Sequence, residues 1–112
     1  MKLDDKIRIQ HMIDSIEEAF EFVKGKSFSD FTNNRMLVLS LIKEIEIIGE
    51  AASKITQDLK DVTTEIPWSD IISMRNRLIH GYFDVDLDIL WNTIMKDLPL
   101  LKDKLIGLLK GY

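Results

Sequence analysis

Apolar residues in this chain return at helical spacing almost from end to end, and the widest such pattern lies in the middle. Leu37, Leu41, Glu44, Ile48, Ala51 and Ile55 make one row, and Val38, Ile42, Ile45 and Ala52 make a second beside it. Two adjacent rows are wider than a helix packed on one side needs. The segment is therefore expected at the centre of a bundle, either covered on two sides or covered on one and dimerised on the other. Ser29 and Asp30 are good capping residues, and the spacing predicts one helix from there to about Leu59, roughly 45 Å long. Gly49 sits inside it, where glycine costs ~1 kcal/mol relative to alanine. Close approach of another helix would explain its presence.

The flanking segments follow the same period. Ile9, Met12, Ile13, Ile16, Ala19, Phe20 and Val23 predict a first helix from about Asp4 to Lys24, closed by Gly25. After a polar link from Asp61 to Glu65, Pro67 suits the first turn of a third helix, with Ser69 and Asp70 at its start. That helix is expected to run to His80 and stop at Gly81, burying Trp68, Ile71, Ile72, Leu78 and Ile79. A fourth begins near Asp86 and carries Leu87, Leu90, Trp91, Ile94 and Met95. Pro99 kinks it or divides it from a fifth, Leu100 to Leu109. No strand alternation, internal repeat or low-complexity run interrupts this order. The expected fold is an all-α antiparallel bundle of four or five helices, forming a homodimer, with residues 1–112 as a single domain.

Composition narrows the chemistry. There is no cysteine, which excludes disulfides, thiolate nucleophiles and Cys-based zinc sites. Met1-Lys2-Leu3-Asp4-Asp5 turns acidic at once with no apolar stretch after it, so a cytoplasmic location is expected. Charges such as Lys43, Glu44 and Glu46 break every apolar run too early for a bilayer span. The net charge of −4 argues against a surface that embraces nucleic acid as a whole. It leaves room for a local site. From Ile71 to Phe83 there is no Asp or Glu, while Arg75 and Arg77 lie within.

That stretch holds the candidate chemistry: Met74-Arg75-Asn76-Arg77-Leu78-Ile79-His80-Gly81-Tyr82. Arginine is a permanent cation shaped to grip phosphate, and histidine moves protons near neutral pH. On a straight helix Arg75 and His80 stand about 140° apart, whereas Asn76 and His80 share a face, so the amide could fix the imidazole tautomer. An Arg and a His suit cleavage of RNA by its own 2′-hydroxyl: the His transfers a proton, and the Arg stabilises the phosphorane. The reaction gains from two proton-transfer groups. One such His per chain makes a twofold dimer chemically attractive.

Arg75-Asn76 through His80-Gly81-Tyr82 matches the R-x4-H-x-Y signature of HepT-type proteins, a branch of the HEPN superfamily of helical, metal-independent ribonucleases. Ile45-Glu46-Ile47-Ile48-Gly49-Glu50-Ala51-Ala52, Ile66-Pro67-Trp68 and Trp91 through Asp97-Leu98-Pro99 resemble the same family, so the likeness covers nearly the whole chain. It implies a toxin of a two-gene toxin–antitoxin module, whose partner is a minimal nucleotidyltransferase-fold antitoxin. It implies a dimer in which two motifs face a shared cleft, with RNA as substrate and no metal or other cofactor. Arg75 and His80 would be catalytic, Asn76 the polar residue after the motif arginine, and Tyr82 the acceptor of AMP from the antitoxin. Arg77 is a supporting candidate, divided between solvent and phosphate.

Plainer readings stand beside these. Arg75 could pair with Asp70 or Asp84, His80 could cap the helix, and Tyr82 could be half-buried packing. His11 reads as a surface or core-edge histidine. Glu46 and Glu50 lack further metal donors, and Glu46 could pair with Lys43. Asp84, Asp86 and Asp88 read as solvated caps. The alternative function is a non-catalytic helical partner, or nucleotide-pocket subunit, of a nucleotidyltransferase. A helical dimerisation protein without chemistry is the third.

Overall fold

A computed structural model describes residues 1–81 and 84–111. Helix α1 (Leu3–Val23) is followed by Gly25, whose φ of 72° lies in the left-handed region open to glycine. In α2 (Phe28–Thr32) the Ser27 hydroxyl accepts from the Asp30 N–H while the Asp30 carboxylate accepts from the Ser27 N–H. Helix α3 (Arg35–Ser53) starts at Asn34, whose side-chain oxygen accepts from the Leu37 N–H at 3.0 Å. Helix α4 (Gln57–Val62) starts at Thr56 in the same way, at 3.4 Å from the Leu59 N–H. The single helix expected from Ser29 to Leu59 is thus three. Ser27, Asn34 and Thr56 each offer an oxygen to N–H groups that a new helix leaves unpaired, so the chain can stop and restart at low cost.

Helix α5 (Trp68–Leu78) begins just after Pro67. The Trp68 indole N–H donates to the buried Thr63 hydroxyl at 3.0 Å, tying the preceding loop to the helix. Two short strands follow, β1 (Ile79–His80) and β2 (Asp84–Val85), and then α6 (Leu87–Asn92). A π-helical turn over Thr93–Asp97 carries α6 directly into α7 (Leu98–Gly111). The interruption expected at Pro99 thus takes the form of a π-helical turn between α6 and α7 rather than a loop. Pro99 lacks an N–H and would crowd the carbonyl four residues back in a regular helix. The wider turn, in which the Leu98 N–H reaches the Thr93 carbonyl, accommodates both defects.

The layers run antiparallel. At one end the buried Asp5 of α1 accepts from the Thr56 N–H at 3.0 Å and the Thr56 hydroxyl at 2.6 Å, joining the start of α1 to the residue that caps α4. On the other flank α3 runs against α5. A methyl group on Gly49 would sit 3.4 Å from the Ile71 carbonyl oxygen and 3.5 Å from that of Ile72, so the expected close approach is present. Helix α7 closes over α1, where Lys102 reaches Glu17 at 3.4 Å and lies over the Phe20 ring. Ile9, Met12, Ile16, Leu41, Ile45, Ile48, Leu78, Ile94 and Leu105 fill the core. Phe28, Phe31 and Trp91 stack at one edge, pinning α2 to α6. The protein is all-α apart from the two-strand hairpin. Among the described residues, no helix is long and apolar enough to cross a membrane.

Besides Asp5, a second acid lies inside this packing, and it has no partner. Glu44, in the apolar row of α3, is 2% exposed, and neither carboxyl oxygen has a hydrogen-bond partner. Burial raises its pKa from the ordinary 4.5 to about 8; the Glu18 carboxyl of α1 pushes the same way and the Ser15 hydroxyl opposes.

Candidate active site

Helix α5 carries Arg75, Asn76 and Arg77 in its last turn and ends at Leu78, two residues before the expected stop at His80. Ile79 and His80 are extended, pairing with Val85 and Asp84 respectively. The Asp86 N–H donates to the Leu78 carbonyl at 2.7 Å, so the returning chain takes up a carbonyl that the helix would otherwise leave open. β-branched Ile79 suits the extended backbone. Gly81, at φ 71°, makes the reversal that a side chain would strain. Because His80 stands off the helix, the face it was expected to share with Asn76 does not exist. His80 is exposed on the hairpin. Tyr82, the candidate AMP acceptor, lies outside the described residues.

Arg75 is held by a residue that the sequence reading assigned elsewhere. Its Nε donates to Glu46 Oε2 of α3 at 3.2 Å, and neither Asp70 nor Asp84, the partners offered by the plainer reading, pairs with it. Both side chains are close to half exposed, and pairs of that kind contribute ~0–1 kcal/mol to stability. The pair therefore orients the guanidinium more than it stabilises the fold. Among the described residues the terminal nitrogens of Arg75 make no hydrogen bond and remain available to an anion. Arg75 and Asn76 line a cleft of about 210 Å³ between α3 and α5, with Glu46, Gly49, Glu50 and Ile72. Gly49 lets the two helices approach closely, and this narrows the cleft floor. The readable signal for Glu46 was its place, with Glu50, on the polar edge of α3 next to Gly49.

Arg77 turns to the opposite side of α5. Its Nη2 donates to the Asp70 carbonyl at 3.1 Å, and it lines a separate cleft with Asp97, Met74, Leu101 and Lys104. The structure thus brings Arg75 and Asn76 together, sets His80 just beyond them, and sends Arg77 away. No hydrogen bond joins Arg75 to His80. Among the described residues, no three His, Asp or Glu side chains gather as a metal site would require.

Chemically, the end of α5 presents an oriented guanidinium with free donors and an exposed imidazole within a few residues of it. That pairing suits binding of a phosphodiester and transfer of a proton at it.

Comparison with known proteins adds independent findings. A family model described as ribonuclease HepT-like matches residues 12–107. A protein of Thermococcus cleftensis named a probable ribonuclease HepT is 39% identical over 104 residues, covering 93% of this chain and 94% of its own. A candidate RNase of Caldanaerobacter subterraneus subsp. tengcongensis is 35% identical over 102 residues, covering 91% of each. A Methanocaldococcus jannaschii protein, named as a gamma-glutamylcyclotransferase and candidate RNase, is 36% identical over 110 residues. There the match takes 98% of this chain but spans only 50% of the relative's length. No solved structure matches.

Proposed function

The chain belongs to the HepT-like ribonuclease family, and on that premise we propose that it is an RNA endonuclease whose catalytic residues are Arg75 and His80. The observation that supports this best is the placement of an exposed His80 just beyond a helix end that carries an oriented Arg75 with unused donors. In the reaction a 2′-hydroxyl attacks the adjacent phosphorus and gives its proton to a base, one His80. The bond to the 5′-oxygen breaks as that oxygen takes a proton from an acid, the second His80. The products are a 2′,3′-cyclic phosphate and a free 5′-hydroxyl. Arg75 holds the non-bridging oxygens as charge builds on them. No step calls on a metal ion.

Two His80 imidazoles require two protomers, so the working form is a homodimer with both motifs on one cleft. Met36 is 80% exposed and Leu39 48% exposed at the N-terminal end of α3. That end adjoins the hairpin, since Val38 and Val85 line one cavity. These exposed apolar side chains at the hairpin end of α3 are the proposed contact.

The family resemblance supports a toxin–antitoxin setting with a nucleotidyltransferase partner. The Tyr82 hydroxyl would attack the α-phosphorus of ATP and release pyrophosphate, leaving AMP where it competes with RNA for Arg75. Two measurements test this reading. Cleaved RNA should end in a 2′,3′-cyclic phosphate, and coexpression with the partner should add adenylyl mass that Tyr82→Phe abolishes. Products ending in 5′-phosphate and 3′-hydroxyl would overturn the mechanism. An adduct at another residue would overturn the switch.

A further inference from the structure

A second groove flanks α3 on the side away from Arg75. It lies between α1 and α3, measures about 400 Å³, and is lined by Arg8, His11, Lys43, Glu46, Glu50 and Lys54. Among the described residues Arg8, Lys43 and Lys54 form no ion pair. Glu46 and Glu50 also line the Arg75 cleft, so the two depressions share one row of α3 as their common wall. Glu46 spends its charge on Arg75. Across wall and groove, four cations (Arg8, Lys43, Lys54 and Arg75) face two carboxylates, on a chain whose net charge is −4. The local charge balance is opposite in sign to the global one, which favours a polyanion at this face. Lys43 and Lys54 are eleven positions apart, ~16 Å along the helix. They therefore reach different phosphates of one strand. The groove leads away from the hairpin end of α3, so it extends the reactive cleft without blocking dimer contact there.

We propose that the α1–α3 groove is the binding track for single-stranded RNA flanking the scissile bond, with Arg8, Lys43 and Lys54 as phosphate-positioning residues. The inference rests on the ribonuclease reading above. Glu50 opposes the track, and its charge weakens binding.

The test is binding of a single-stranded 2′-O-methyl RNA, which lacks the attacking hydroxyl, followed by fluorescence anisotropy across a salt series. Each lost phosphate contact should lower the log–log salt slope by ~0.7. The Arg8→Ala/Lys54→Ala double variant should lower it by about twice that and weaken binding about tenfold at low salt. Lys104→Ala, on the α5–α7 side, should leave the slope unchanged, and Glu50→Gln should tighten binding. A double variant with the wild-type slope would overturn the proposal, including the case in which the groove receives an acidic protein instead. So would absence of binding by the wild type. Binding as expected without cleavage of ordinary RNA would sink the ribonuclease reading and leave the track standing. Cleavage with an unaltered slope would do the reverse.

Discussion

The buried carboxyl of Glu44 makes a prediction about stability that can be worked through from the structure. Its pKa in the fold is about 8, against 4.5 when exposed. A group whose folded pKa is raised binds its proton more tightly in the native state. Its contribution is fully present below pH 4.5 and is lost as pH rises toward 8. Between those values the native state holds one more proton than the unfolded chain, so stability falls by ~1.4 kcal/mol per pH unit from this group alone. Across the window the loss is on the order of 5 kcal/mol, a large part of the ~5–15 kcal/mol that holds a domain together. Glu44→Gln keeps the shape and cannot ionise. Urea unfolding followed by circular dichroism, at fixed protein concentration from pH 5 to 9, should give a wild-type stability that declines relative to the variant. Near pH 5 the two should lie close together, and by pH 8 to 9 the variant should be the more stable. Melting temperatures should separate by about 4 °C per kcal/mol. Parallel curves would refute the reasoning, because they would mean that Glu44 ionises in the fold without penalty.

Two other substitutions test the geometry that positions the site. Gly49→Ala places a methyl at ordinary contact distance from the α5 carbonyls and restores helix propensity, so thermal unfolding should show a gain of up to ~1 kcal/mol; Gly49→Leu should destabilise the fold and depress cleavage by pushing α5 and Arg75 away. Gly81→Ala forces a side chain into a left-handed turn at a cost of ~1–2 kcal/mol, and cleavage should fall further than global stability does because the hairpin that carries His80 is what loosens.

How much of this was legible in the sequence differs from element to element. The first helix and its Gly25 stop were readable because 21 residues repeat one period. The wide central stripe correctly marked α3 as the middle layer, and Gly49 correctly marked a close helix contact. The breaks at Asn34 and Thr56 went unread. Caps there act through single side-chain oxygens, which hardly disturb an apolar period that continues across them. The hairpin was unreadable for a different reason: strands of two residues cannot display an alternation. With it went the expected helical position of His80 and its shared face with Asn76. Glu46 was visible as a polar residue beside Gly49, yet pairing it with Arg75 required knowing which helices adjoin. Asp5 and Glu44 show the same limit. Both are acids in helical runs, and only packing reveals that one is satisfied by Thr56 and the other by nothing.

The central claim is that His80 transfers a proton in RNA cleavage that needs no metal, and one rate ratio tests it directly. Single-turnover cleavage of a defined single-stranded RNA is measured in EDTA for the wild type and for His80→Ala, with circular dichroism confirming equal folding. Loss of the proton-transfer group should lower the rate by about 10²–10⁴-fold. Equal rates for the two proteins, or wild-type activity that EDTA abolishes, would contradict the account.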